Sequence, residues 1–407
     1  MSKVIAILAT MDTKGAESDF IRQEIESLGG HAILIDVGVI GKVTVPIDIS
    51  NHEVANEGGG SMDEILKNPS RQDATPFLIK GSIKIINEKL LKGEIDGLIA
   101  LGGSQGTTLC AQVMQSLPYG FPKVMLSTVA SGDTAPFVDI KDITMMFSVS
   151  DILGLNDFSR KILANVAGAA YGMALAGANL EKTKSDKPLI GMSNLGVLTK
   201  GCMIAIERFH EKGYEVVVFH AIGAGGRAME QMMKEGLIGG VFDYAMGEIA
   251  DEVYGVLRAG GPERLTVAGK LGIPQVLCPG GAEHLGILVP PNEVPNEWKN
   301  HNYVFHSPVV FVPRLVGDEI IAVANDILTR LKHTKGNAIL MLPTDGTGTY
   351  GRPGGVLRDT DSDAIFFDTI RSGLPDAIEL VERHTHAEDP EFVRECVDRL
   401  IGLIEGE

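Results

Sequence analysis

The sequence predicts an α/β protein of two doubly wound, Rossmann-like subdomains, with parallel sheets and an interdomain cleft. Three observations predict it. Apolar runs of strand length alternate with helical stretches in both halves of the chain, a polar stretch interrupts the pattern near the middle, and several apolar runs end in small polar residues. Length agrees, because 407 residues exceed one ordinary core.

In the first half, residues 3–9 and 32–37 are apolar runs, and Phe20, Ile21, Ile25 and Leu28 fall on one helical stripe between them. Runs without polar alternation mean strands buried on both faces, hence a parallel sheet under helices. A helix over 76–91, a strand over 95–101, a helix after the following glycine turn and a strand over 122–127 continue the half. Residues 162–180 carry no charge and are rich in Ala and Gly, with Gly168, Gly172 and Ala176 spaced four apart. Asn165, Asn179 and the small residues argue against membrane insertion and for a buried helix at a domain or subunit interface. The polar run 181–187 is the expected linker, giving domains at 1–181 and 188–407.

The second half repeats the plan. Strands are expected over 187–192, 215–219, 237–242, 274–278 and 338–342, with a helical stripe through Ile204, Ile206 and Phe209. The Pro- and Asn-rich stretch 290–302 reads as an irregular surface loop.

Composition narrows the function. A net charge of −17 argues against nucleic acid and membrane surfaces as partners, since both are anionic. The four cysteines lie far apart, so no CxxC motif exists; they read as small apolar residues of a reducing cytoplasm, a catalytic thiol being the less favoured reading. The N-terminus lacks the features of a signal peptide.

The motifs sit at strand ends, where open α/β sheets bind ligands. Leu101-Gly-Gly-Ser-Gln-Gly-Thr107 turns a strand into a helix. Gly102, Gly103 and Gly106 permit close backbone approach, Ser104, Gln105 and Thr107 add polar groups, and free N–H groups at the helix start attract an anion. Neither GxxxxGK[ST] nor GxGxxG is matched, so a plain corner before a helix competes with a phosphate cradle. Thr10, Thr13 and Lys14 offer donors after the first strand, and Asp12 suits a sugar hydroxyl or a magnesium-bound water. The alternative is an ordinary helix cap with a solvated lysine. Asp36-Val-Gly38 follows the second strand, and Ala130, Ser131 and Gly132 make another small turn after the fourth. Convergence of these corners favours a phosphate or nucleotide site. Arg71 either reaches a phosphate or is an exposed arginine.

Taken together, Asp12-Thr-Lys14, the 101–107 turn, Pro118 to Gly132, Ser148 to Asn156 and Val218 to Glu230 resemble a largely uncharacterised family. It comprises bacterial and fungal proteins and the N-terminal ATP-binding domain of tomato's resistance protein against tomato mosaic virus. The resemblance implies a two-subdomain α/β fold that binds ATP with Mg2+ in the first subdomain and forms a homodimer; the plant member inhibits viral replication proteins. Carried over by position, the nucleotide contacts are Asp12, Thr13, Lys14, residues 102–107 and 130–132, with Arg71 matched less closely. The family pattern differs at 280–284 and 343–355, so no second-domain ligand is implied.

In the second half, Gly223-Ala-Gly-Gly-Arg227 repeats the strand-to-helix corner and suits a carboxylate or phosphate, or only a tight corner. Glu248 and Asp251 share a helical face, either as an acid/base pair or as a solvated surface. His284, His301 and His306, with Glu283 nearby, are candidates for a metal or proton-transfer site, although no HExxH spacing is present. His384 and His386 read as exposed. The expectation is an ATP-dependent enzyme with a small anionic substrate in the cleft, with Arg227, Glu248 and His284 as catalytic candidates. The alternative is a non-catalytic, nucleotide-stabilised protein-binding module.

Overall fold

The computed structural model describes residues 2–67, 69–178 and 186–406. Its contacts divide the chain into two units, Met1–Thr183 and Lys184–Glu407. Most of the expected linker, residues 181–185, lies outside the described residues.

The first unit runs β1 (Val4–Ala9), α1 (Met11–Ser27), β2 (His31–Asp36), α2 (Asn51–Glu57), α3 (Met62–Ile65), α4 (Arg71–Leu91) and β3 (Gly97–Gly102). It continues with α5 (Ser104–Gln115), β4 (Lys123–Ser127), α6 (Ala135–Val138), β5 (Thr144–Phe147) and α7 (Asp157–Ala178). The five strands pair in the order β2-β1-β3-β4-β5, all parallel. Pleating sorts each strand between two cores. Ala6, Leu8, Leu98 and Ala100 face one core with Leu78, Val113 and Met114. Ile5, Ile7, Ile99 and Leu101 face the other with Ile21, Ile25, Leu163 and Val166. Each fully buried Ile or Leu contributes about 1.5–3 kcal/mol relative to leaving it exposed.

Helix α7 differs from expectation. Leu163, Val166, Ala167 and Ala170 are buried in this unit's own core, whereas Gly168, Gly172 and Ala176 are exposed. A periodic apolar face was enough to seat the helix, and the smooth stripe lies opposite it.

The second unit runs β6 (Ile190–Asn194), α8 (Thr199–Glu211), β7 (Val216–His220), α9 (Ala224–Lys234), β8 (Gly240–Ala245), α10 (Gly247–Tyr254), α11 (Val267–Leu271) and β9 (Gln275–Gly280). After these come β10 (Ile287–Leu288), β11 (Tyr303–Ser307), β12 (Val310–Pro313), α12 (Asp318–Leu331), β13 (Ala338–Pro343), α13 (Thr360–Gly373), β14 (Ile378–Arg383) and α14 (Pro390–Glu405). Six parallel strands form the main sheet, ordered β14-β13-β9-β8-β6-β7. The antiparallel trio β10-β12-β11 was not anticipated. It is inserted between β9 and α12, and its longer strands are joined by only Pro308 and Val309. Edge strands β5 and β14 were also missed, because partial exposure and outward Glu379, Glu382 and Arg383 break the apolar run.

Candidate functional site

In each main sheet the chain reverses its direction of winding at one point, between β1 and β3 in the first unit and between β6 and β8 in the second. Helices on opposite faces diverge there, leaving a crevice beyond the carboxyl ends of the strands.

A cavity of about 410 Å3 occupies the first of these crevices. Thr10, Thr13 and Lys14 line it from the end of β1, and Gly103, Ser104, Gln105 and Gly106 line it from the end of β3. Gly102 sets the corner: a Cβ there would stand 2.9 Å from Gly106 Cα. Gly103 is the N-cap of α5 and supplies no side-chain cap, so N–H groups of the first turn, in the segment lining the cavity, remain available to an anion. Thr10 and Thr13 hydroxyls are 2.9 Å apart. Lys14 breaks helical geometry at φ −124°, ψ 15°, and its Nζ donates to the Ile152 carbonyl. Arg71, brought in by α4, donates from Nη1 to Gln105 Oε1 at 3.3 Å.

The apolar part of the lining was not identified from the sequence. Thr75 and Leu78 lie on the same helical face as Arg71, a spacing that was legible but not used. Val37 and Val39 follow β2, and Leu109 and Leu153 complete the wall.

Several expected contact residues have partners within the protein or stand outside the cavity lining. The Asp12 carboxylate turns away from the cavity lining: Oδ2 accepts from the N–H of Ile40 and Gly41 at 3.1 and 3.0 Å, fixing the loop after β2. Gly38 also stands outside the lining, packed so closely that a Cβ there would lie 2.7 Å from Asp12 Oδ1. Asp36 Oδ1 accepts from Met11 and Gly38 N–H at 2.9 and 2.8 Å. Burial raises its pKa, those N–H groups oppose the rise, and Asp12 adds to it. Thr107 is fully buried and bonds the Ser127 hydroxyl at 2.7 Å, locking the β3 corner to β4. Ala130, Ser131 and Gly132 follow the neighbouring β4 and do not line the cavity.

In the second unit the glycine corner is filled from within. Gly223 and Gly226 N–H groups donate to Glu248 Oε1 at 2.6 and 3.1 Å, while Arg264 Nε donates to Oε2 at 2.6 Å. The expected carboxylate is therefore the protein's own, and no external anion is needed there. Burial raises the Glu248 pKa against the opposing pull of Arg264 and the two N–H groups. Asp251, also fully buried, grips Arg258 Nε and Nη2 at 2.9 and 2.7 Å. The pair is thus neither a solvated face nor an acid/base couple. Arg227 is exposed and lies along Gly261, outside the second cavity's lining.

His301 is held by Glu319 at 3.0 Å and stacks edge-on with Trp298, outside the second cavity's lining. His284 and His306 come together with His220 around a second cavity of about 170 Å3, lined by residues that follow β6, β7 and β9 and by the β11–β12 hairpin. Among the described residues no His, Cys, Asp and Glu cluster could hold a metal. His384 is exposed and bonds Thr344, whereas His386 is half-buried. All four cysteines are free and buried, and burial pushes the Cys110 and Cys202 thiols up to about 12 and about 11, which rules against a reactive thiolate. No helix among the described residues is long and apolar enough to cross a membrane.

These features define a class: a Rossmann-like α/β protein of two units, each with a crevice at the switch point of a parallel sheet. Residues 3–179 match the N-terminal domain, and residues 187–404 the C-terminal domain, of the uncharacterised protein family UPF0261. The chain belongs to that family. It is 41% identical over 406 residues to a UPF0261 protein of Clostridium tetani, covering 100% of both chains. It is 32% identical over 313 residues to the ToMV resistance protein Tm-1(GCR237) of Solanum lycopersicum, covering 75% of this chain and 41% of that protein. Among solved structures, Acinetobacter baumannii MurG aligns at 10% identity over 98% of this chain and 94% of that one, with a TM-score of 0.24.

Proposed function

We propose that the first unit binds a nucleoside triphosphate, ATP with Mg2+, in the β1/β3 crevice. The observation that carries this reading is the uncapped start of α5, set beside Lys14 and Arg71 in one cavity. Phosphate oxygens would take the α5 N–H groups, and the two cations would offset phosphate charge. Val37, Val39, Leu78 and Leu109 offer an apolar bed for the base. Among the described residues no carboxylate lines the cavity. Magnesium would therefore be carried on the phosphates and water, with the hydroxyls of Thr10, Thr13 and Ser104 as the available protein oxygens.

In the enzymatic form of this reading, ATP is turned over with a small anionic substrate. The tomato relative's name, a virus resistance protein, favours a second form in which the nucleotide stiffens a protein-binding module. Titration calorimetry of the full chain with Mg·ATP tests the shared premise. Binding is expected, and Lys14→Ala and Arg71→Ala should each weaken it about tenfold, or 1.4 kcal/mol. Absence of binding heat at millimolar nucleotide, across several temperatures, would overturn it.

A further inference from the structure

The second cavity contains a side-chain arrangement that nucleotide binding leaves unused. His284 lines it and Glu283 lies beside His284, each 2% exposed, with Nδ1 and Oε1 3.3 Å apart and neither atom in a hydrogen bond. The other Glu283 oxygen is bonded by the Thr347 hydroxyl. Burial would raise the Glu283 pKa, but His284, Arg314 and Thr347 more than reverse this and hold it at about 2. The carboxylate is thus charged at neutral pH and lies beside one edge of the imidazole. The ring's Nε2 makes no hydrogen bond among the described residues. Tyr350 stands edge-on to His284, with ring centres 5.7 Å apart, and its hydroxyl lies 3.0 Å from His306 Nδ1. Burial raises the phenol's pKa, so it keeps its proton.

The rest of the lining restricts the chemistry. Leu195, Val197, Ile222, Leu257, Val310 and Val312 are apolar, and among the described residues of the lining there is no Ser, Thr, Cys, Lys, Asp or Glu side chain to act as a nucleophile. The Arg258 guanidinium is already engaged by Asp251 and by the His284 carbonyl. What remains is proton transfer between imidazoles and a phenol, in a space with little polar surface to hold an attacking water.

We propose that the second unit is a proton-transfer site for a small carbonyl compound with an apolar substituent, with His284 as base and Tyr350 as the oxygen-binding group. His284 Nε2 takes a proton from the carbon beside the carbonyl. The C–H electron pair becomes the C=C bond of an enolate, and the carbonyl π pair moves to oxygen, which the Tyr350 hydroxyl holds. Return of the proton to carbon closes the cycle without oxidant, reductant or co-reactant. Positioned acid–base groups typically contribute 10²–10⁴-fold.

The site is independent of the nucleotide reading, so its test uses the full chain without nucleotide. 3-Methyl-2-oxobutanoate, 4-methyl-2-oxopentanoate and 3-methylbutan-2-one are incubated in D2O, and loss of the C–H signal next to the carbonyl is followed by proton NMR. At least one should exchange about 100-fold faster than in buffer. His284→Gln should abolish that excess, and Tyr350→Phe should cut it about tenfold. Ile222→Trp, at an exposed position of the lining, leaves the acid–base groups intact and should suppress exchange by filling the space. It keeps the test decisive if His284→Gln fails to fold. Three results would overturn the proposal: no excess exchange with any of the three compounds, full exchange in folded His284→Gln, or His284-dependent hydrolysis of 4-nitrophenyl acetate without carbon exchange.

Discussion

Replacing Glu248 with alanine empties the second unit's glycine corner. The change removes three bonds, from Gly223 N–H, Gly226 N–H and Arg264 Nε. Arg264 does not lose all compensation, because its Nη2 still bonds Asp243 Oδ1 at 2.6 Å. The two N–H groups are left buried at a helix start, at about 1–3 kcal/mol each when unsatisfied. Breaking a buried ion pair costs about 3–5 kcal/mol, and we expect a loss in that range. A unit of this size loses roughly 2–4 °C of Tm per kcal/mol, so its calorimetric transition should fall by about 6–20 °C. Sodium formate should recover part of the loss in Glu248→Ala and leave the parent unchanged, since the variant alone offers a vacant carboxylate site. A loss below about 1 kcal/mol, or equal formate effects on both proteins, would refute the assignment of Glu248 as the internal anion.

The two glycines of the first corner should separate fold from binding. Gly103→Ala has room, its nearest neighbour being Thr128 Oγ1 at 3.8 Å, so Tm should hold while Mg·ATP binding falls about tenfold in calorimetry. Gly102→Ala strikes Gly106 Cα at 2.9 Å and should cost about 1–3 kcal/mol in urea unfolding. Gly81→Ala would put a Cβ 1.7 Å from the Val54 carbonyl oxygen, where α2 meets α4, and should cost more than Gly102→Ala in the same assay. Glu230 supplies a pH test. Burial raises its pKa to about 7, with Arg264 opposing and Asp243 adding. The folded state therefore holds a proton that the unfolded chain releases near 4.5, and stability from this group is full below that value and lost as pH rises through 7. Unfolding free energies from urea titrations between pH 5 and 8 should decline by about 1–3 kcal/mol more in the parent than in Glu230→Gln; identical slopes would refute the assignment.

The parallel sheets were legible because β1, β3, β4 and β13 are short apolar runs, and nothing but burial on both faces explains such runs. The cavity-lining glycines and Lys14 were legible for a related reason: strand ends are where backbone N–H groups and polar side chains gather. The bonding of Asp12 was not legible, because sequence adjacency to Lys14 says nothing about side-chain direction; the loop at 40–41 engages its Oδ2 from 28 residues away. The burial of Thr107 was hidden likewise, since its partner Ser127 belongs to a neighbouring strand. Glu283 and His284 were noticed as neighbours, but the Tyr350–His306 contact joins segments 44 residues apart and follows from no local pattern.

The two glycine corners show why such motifs are ambiguous until the whole domain is built. Each follows a parallel strand, opens a helix and presents N–H groups with no side-chain cap from its own N-cap residue. In α5 no acidic residue occupies the first turn, and the space beside it is an open cavity. In α9 the same need is met by Glu248, which arrives from the first turn of α10, two elements later. A Cβ at Gly226 would lie 2.0 Å from Glu248 Oε2, so glycine is required there to admit an internal carboxylate. At Gly103 the space is free. Identical local chemistry thus closes one corner and leaves the other available, and what decides between them is whether the fold delivers a buried acid to the helix start.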